Sequence, residues 1–282
     1  MTVVRNAFPG PPLFPFVDRF WSWEIPAEGQ DVPVQLLPGT GSDLIFHFAP
    51  PPMAREDGGT ACRLPPSYLM ALRSRILHFF LPPGSCFLSV RFRAGALRHF
   101  CDVPMERMVD IPTDAFCIWG GEVLALMERM AAAQSFEARV RIAEEWLLCR
   151  FRLPNARDAG VDWAIRRMYY GCSHVRMDDL LDGLGVGARQ FQRLVKSGLG
   201  MGPKEHVRLS RFQQAAKAML LSGSGYGAGD VQEGGYFDQS HFIRDFKEYA
   251  GRSPGDFLRA SKGKSHFYNT SRPDNVILRN TK

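Results

Sequence analysis

From Gly235 to Phe257 the chain reads GYFDQSHFIRDFKEYAGRSPGDF, with apolar positions at helical intervals. Phe242, Phe246 and Tyr249 share a face that should bury, while Gln239, Ser240, His241, Arg244 and Lys247 stay outside. Asp238 suits the start of this helix and Gly251 its end. Ser253-Pro254 then opens a further helix that carries Phe257 and Leu258 into the same core. A helix with one apolar face and an outer face of Gln, Ser, His, Arg and Lys has the build of a DNA-reading helix.

A similar pattern lies upstream. The spacing predicts an opening helix over 161–170, a support helix over 177–183, a turn over 184–187 and a second reading helix over 188–196. Gly185 meets the turn's need for positive φ. Phe191, Leu194 and Val195 point inward. Arg189, Gln190, Gln192 and Arg193 point out, and these side chains make bidentate contacts, Arg to guanine and Gln to adenine. Lys196 and Lys247 act as point charges and fit phosphate contacts, which position a protein without specifying sequence. A long helix over 203–221 joins the two patterns; its Arg208 and Arg211 are candidates for phosphate contact or for a solvated face.

Ahead of these helices the period changes. Strands are expected at 17–25, 34–37, 43–48, 75–81 and 86–92; in the last, Leu88, Val90 and Phe92 alternate with Ser89 and Arg91. Pro38-Gly39-Thr40-Gly41 reads as a hairpin turn, and the stretch 50–66, with five prolines, as a long exposed loop. Residues 8–16 should run extended over a surface. Helices follow near 94–100, 121–133 and 136–151, the last capped by Ser135. The expected fold class is α+β: an N-terminal antiparallel β-sheet or barrel-like domain with helices (1–153), a linker (154–160), an all-α double helix-turn-helix domain (161–262) and a flexible tail (263–282).

The chain has 282 residues and a formal net charge of +6. Residues 160–282 hold 19 Lys+Arg against 12 Asp+Glu and residues 1–159 hold 16 against 17, so the basic excess is entirely C-terminal and favours a polyanion. Six scattered cysteines, without a C-x-x-C pair, read as buried reduced thiols rather than a zinc or redox site. His47 on a strand lacks the neighbouring His or Glu of a metal site, and no Ser or Cys has a visible base partner. No catalysis, cofactor or metal is expected. Absence of a signal peptide or membrane span suggests a cytoplasmic protein.

These motifs resemble AraC-type transcription regulators. The family pattern Leu-Ala-x-x-Ala-Gly-Val-Ser-x-Arg-x-Leu-x-Arg-x-Phe is met in register by Leu180, Gly185, Val186, Arg189 and Arg193; the chain departs from it at Leu181, Leu184, Gly187 and Val195. Gly187 replaces a capping serine, a loss of only a few tenths of a kcal/mol. In the second motif Asp230 falls where isoleucine is usual, which buries a carboxylate or marks a one-residue slip with Val231 in the apolar role; the slip is the expected case. Gly227, Gly229 and Gly234 together should remove about 2 to 3 kcal/mol from its support helix. Residues 7–153 resemble a domain of unassigned function found before such DNA-binding domains, through Phe20-Trp21-Ser22-Trp23, Leu37-Pro38-Gly39, Asp43-Leu44-Ile45-Phe46 and 90–96. The resemblance implies double-stranded DNA as partner, no membrane, and RNA polymerase, a small-molecule effector and a second copy of the chain as further candidates. The aromatics Phe14, Phe16, Phe20, Trp21 and Trp23 could line an effector pocket or form plain core. Two rivals stand: an alkyl-transfer DNA-repair enzyme fused to such a domain, and a regulator whose second motif has decayed.

Overall fold

The computed structural model describes residues 3–56 and 59–261; the expected tail, 263–282, lies outside them. The N-terminal half is built on antiparallel strands. The first sheet has the order β1 (Val3–Ala7), β2 (Val17–Glu24), β9 (Cys86–Phe92), β4 (Ser42–His47), β7 (Ser67–Met70), β10 (Thr113–Asp114); the second has β3 (Val32–Leu36), β8 (Leu77–Leu81), β5 (Met53–Glu56), β6 (Cys62–Arg63). Trp21, Trp23, Ile45, Tyr68, Phe79 and Phe87 fill the space between the sheets. On the other face Phe20, Leu44, Phe46 and Phe92 pack against α2 (Gly121–Ala132) and α3 (Phe136–Arg150), preceded by a one-turn α1 (Phe116–Trp119). The first sheet is therefore covered on both faces, which is why every residue of β4 is buried rather than alternate ones.

Three sequence expectations fail here. Pro38–Gly41 does not close a hairpin: β3 pairs with β8, and β4 pairs with β7 and β9 in the other sheet. The segment is a crossover, held by a Gly39–Arg73 bridge and by Gln213 of the C-terminal half, whose Oε1 accepts from Thr40 N at 3.1 Å and Thr40 Oγ1 at 2.9 Å. The proline-rich stretch 50–66 is not loop throughout, since β5 and β6 form in it and β5 pairs with β8. Residues 8–16 turn back on themselves and bury Leu13.

The C-terminal half is helical. The helix α4 (Ala156–Tyr170) starts within the stretch expected as linker, because the Asn155 side chain accepts from Asp158 N at 2.9 Å and caps it. It is followed by α5 (Met177–Leu184), α6 (Ala188–Leu199), α7 (Pro203–Ser222), α8 (Ala228–Glu233), α9 (Gln239–Ala250) and α10 (Pro254–Ser261). Their core includes Ile165, Leu180, Phe191, Phe212, Phe242, Phe246 and Phe257, and Leu37, Leu72 and Ile76 of the N-terminal half join it. Among the described residues no helix is long and apolar enough to cross a membrane.

Candidate nucleic-acid interface

Two helical units sit at either end of α7. In the first, α5 ends at Gly185, whose φ of 61° and ψ of 37° are the left-handed values that glycine adopts without strain. Gly187 then starts α6 in extended conformation with no side-chain cap, yet the helix runs on to Leu199. Leu184, in place of a small alanine, is accommodated by α4: a Cβ on Gly160 would come within 2.7 Å of Leu184 Cδ2. Phe191 and Val195 are buried, while Arg189, Gln190, Gln192 and Arg193 are exposed together. Lys196 is exposed as well, but its Nζ lies 3.9 Å from Glu106 Oε2 on a 3-10 turn of the N-terminal half. The same turn fixes the end of α6: Gly200, at φ 87°, lies so close that a Cβ there would be 2.4 Å from Val109 Cγ2 and 2.8 Å from Met105 O. The first reading helix is thus clamped to both halves of the protein.

In the second unit the slip is real. Val231 is 3% exposed, and Asp230 turns outward to accept from Gly227 N at 2.7 Å. Of the three glycines expected to weaken this support helix, Gly227 and Gly234 occupy its caps and only Gly229 is interior. The propensity loss is then about 1 kcal/mol rather than 2 to 3. The helix is nevertheless only six residues long, so α9 depends on other neighbours. Phe242 and Phe246 stack edge to face, and Phe246 meets Phe212 of α7 and Phe257 of α10 at centroid distances of 5.1 and 5.3 Å. Arg208 of α7 donates through Nε and Nη2 to the Asp245 carboxylate, 3% exposed, and through Nη1 to Glu248. These two carboxylates hold the Arg208 guanidinium above its ordinary value. Arg208 therefore ties α7 to α9, and Arg211, which donates to Cys172 O at 2.7 Å, closes α7 onto the end of α4. Neither stands free for a phosphate.

At the start of α9, Asp238 Oδ1 accepts from His241 N at 2.7 Å, the cap expected from the sequence. Gln239, Ser240, Arg244 and Lys247 are exposed. His241 is half-buried: it lies edge-on to Tyr236, and its Nε2 is 3.6 Å from Asp245 Oδ2. Sequence reasoning missed Phe237, which is 92% exposed at the entrance to this helix. The signal was present as an aromatic beside the buried Tyr236, but both resemble core residues on paper. Among the described residues no carboxylate lies within ion-pair distance of Arg189, Arg193, Arg244 or Lys247, and none forms a group of three or more His, Cys, Asp or Glu able to hold a metal.

Two helix-turn-helix units joined by one connecting helix, with unneutralised cations on their outer faces, have the build of a DNA-binding transcription regulator. Residues 180–260 match the helix-turn-helix domain family and residues 5–113 a domain of unknown function (DUF6597), so the chain carries an AraC-type DNA-binding domain preceded by that second domain. No curated protein matches it. Among solved structures, ToxT from Vibrio cholerae O395 aligns at 9% identity over 94% of this chain and 98% of that one, with a TM-score of 0.47. The xylose-binding transcription activator XylR aligns at 16% over 39% and 28% with a TM-score of 0.30, and the AraC-like activator CuxR at 10% over 95% and 90% with 0.22.

Proposed function

We propose that α6 and α9 enter successive major grooves of one duplex, with Arg189, Gln190, Gln192 and Arg193 reading the first and Gln239, Ser240 and Arg244 the second. Lys196 and Lys247 take phosphates, Lys196 less strongly because Glu106 competes for it. His241, drawn toward Asp245, sets the start of α9 more than it contacts a base. The observation that carries this reading is the pair of exposed, uncompensated cationic faces joined by α7. Its 20 residues span about 30 Å at 1.5 Å per residue, close to one turn of DNA. Of the cysteines only Cys101 and Cys172 are buried, and burial pushes their thiols up; Cys62, Cys117 and Cys149 are exposed, against the sequence expectation of buried thiols.

Selection of bound sequences from a random duplex pool tests this directly. A site with two blocks one helical turn apart is expected, and a single block would remove α9 from the reading. Arg189→Ala and Arg244→Ala should each weaken the selected site by about 1 to 3 kcal/mol and relax one block, whereas Lys247→Ala should weaken all sequences alike and reduce the salt slope by about 1. On this reading Phe237 meets a thymine methyl. With 92% of its surface already exposed, Phe237→Ala should lower specific affinity while leaving unfolding free energy within about 0.5 kcal/mol. A large loss of stability would instead make Phe237 structural.

The reading extends to a sensory N-terminal half. The aromatics Trp21 and Trp23 fill the space between the sheets, and Phe20 faces the helices, so an effector is better sought between the halves than inside the sandwich. Exposed Leu124 on α2 and Leu148 on α3 support pairing of two copies. A contact with RNA polymerase completes the activator reading. Sedimentation with and without duplex checks the pairing.

A further inference from the structure

The residues of β2 and β9 meet the C-terminal helices α4 and α7 across a cavity of about 140 Å³. Its walls bring together Arg19 and Arg91 from the sheet, Arg93 just beyond the end of β9, and Arg166, Tyr169 and Lys217 from the helices. The charges do not cancel. Asp43 is shared between Arg91 at 2.5 Å and the fully buried Arg73 at 3.6 Å, and Asp18 between Arg19 at 3.5 Å and Arg93 at 3.3 Å. Arg166 and Lys217 have no carboxylate within ion-pair distance among the described residues, and of the residues lining the cavity Arg19, Arg91, Arg93, Arg166 and Lys217 are cationic against the single carboxylate of Asp18.

The strand register makes the imbalance sharper. A bulge in β2 between Val17 and Arg19 sets Arg19 directly opposite Arg91 on β9, a like-charge cross-strand pair that is destabilising by itself. Bulges re-aim side chains next to functional sites. Arg19 is buried, its Nε has no hydrogen-bond partner, and burial together with Arg91 pushes its pKa down to about 10. Gly41 lies against the Arg91 guanidinium, and a Cβ there would come within 2.9 Å of Arg91 Nε. A buried guanidinium whose Nε lacks a hydrogen-bond partner, as that of Arg19 does, is costly unless an anion completes it.

We propose that this cavity between the two halves binds a compact multivalent anion, a small di- or tricarboxylate or a phosphate ester, and that the bound anion stiffens the junction between the sheet and the DNA-reading helices. The proposal rests on the DNA-binding reading above and names the chemistry and place of its effector. At about 30 Å³ per water the volume admits roughly five water-sized groups. Most of the lining residues offer guanidinium, ammonium, phenol or carboxylate groups, with Phe92 and Ala94 as apolar exceptions, so the cavity suits a small polyanion and disfavours a long apolar chain. An anion held between Arg19 or Arg91 and Lys217 or Arg166 would touch both halves at once, beside the Thr40 to Gln213 contact.

The test uses the full-length protein with citrate and pyrophosphate as separate probes, each against sodium chloride of matched ionic strength. Citrate binding favours a carboxylate effector and pyrophosphate binding a phosphate one. At least one probe is expected to raise Tm in a saturable manner and to change affinity for the selected duplex. Lys217→Gln and Arg166→Gln, on side chains that hold no internal ion pair, should weaken that binding about tenfold each while leaving anion-free duplex binding intact. The proposal is overturned if neither probe acts beyond matched salt, or if both variants retain full probe affinity. It is also overturned if the variants lose duplex binding without any probe effect, which would make these cations phosphate contacts. Failure of every duplex to bind overturns the DNA reading instead, and calorimetric binding of the probe is scored independently of it.

Discussion

Between pH 7 and pH 4 the protein should lose several kcal/mol of stability through two buried histidines, one in each half. His206 on α7 is fully buried, and burial lowers its pKa from 6.5 to about 4, partly offset by the backbone of Ile165. His47 on β4, stacked on Tyr68, is lowered to about 4 by burial alone. For each, the folded value lies below the unfolded one, so the unfolded chain takes up the proton first as pH falls through about 6.5. Each contribution is intact above that pH and lost progressively down to about 4, to a total of about 3 kcal/mol per histidine. Urea unfolding at pH 7.5 and 5.0 checks it. His206→Met, which cannot titrate, should remove about 2 kcal/mol of the difference between the two pH values. An unchanged difference in that variant would show that His206 carries its charge in the folded state.

The helical half was legible because its signals are local. Asp238, Gly251 and Gly185 are single-residue caps and stops, and each does in the structure what its chemistry dictates. Phe242, Phe246 and Tyr249 needed only helical periodicity to place inward. Asn155 carries an equally local cap, but Pro154 beside it reads as linker. The sheets were less legible because strand pairing is decided at a distance. Pro38–Gly41 has hairpin composition, but its partners are Arg73 and Gln213, far along the chain, and they draw it across from one sheet to the other. The outer residues of α6 and α9 could be named in advance, yet the diversion of Lys196 to Glu106 and of His241 to Asp245 depends on neighbours that periodicity does not see. The cationic cavity is the extreme case, since Arg19, Arg91, Arg166 and Lys217 come from four separate elements and none is unusual where it stands in the sequence.

Phe246→Ala should cost about 3 to 5 kcal/mol, the usual result of truncating a fully buried aromatic, and the loss should fall on the second reading unit. Phe246 is 0% exposed and touches the rings of Phe212, Phe242 and Phe257, so it joins α7, α9 and α10 in one cluster. A well-formed support helix would share that load, but α8 has six residues and buries only Val231. Two further ties join α9 to α7, the ring of Tyr249 against Phe212 at 5.0 Å and Arg208 to the buried Asp245 and the exposed Glu248, the last of which is screened by solvent. The first unit has no such dependence, because α6 is held by Phe191 and Val195 within the core and by the close approach of Gly200 to Met105 and Val109. Local opening of a weakly braced element precedes global unfolding. Amide hydrogen exchange should therefore accelerate across 228–261 in the variant while 188–199 stays protected, and the footprint on the selected duplex should shrink from two major grooves to one. Equal acceleration in both segments would mean that the two units unfold together, and that the short α8 does not leave α9 the weaker reader.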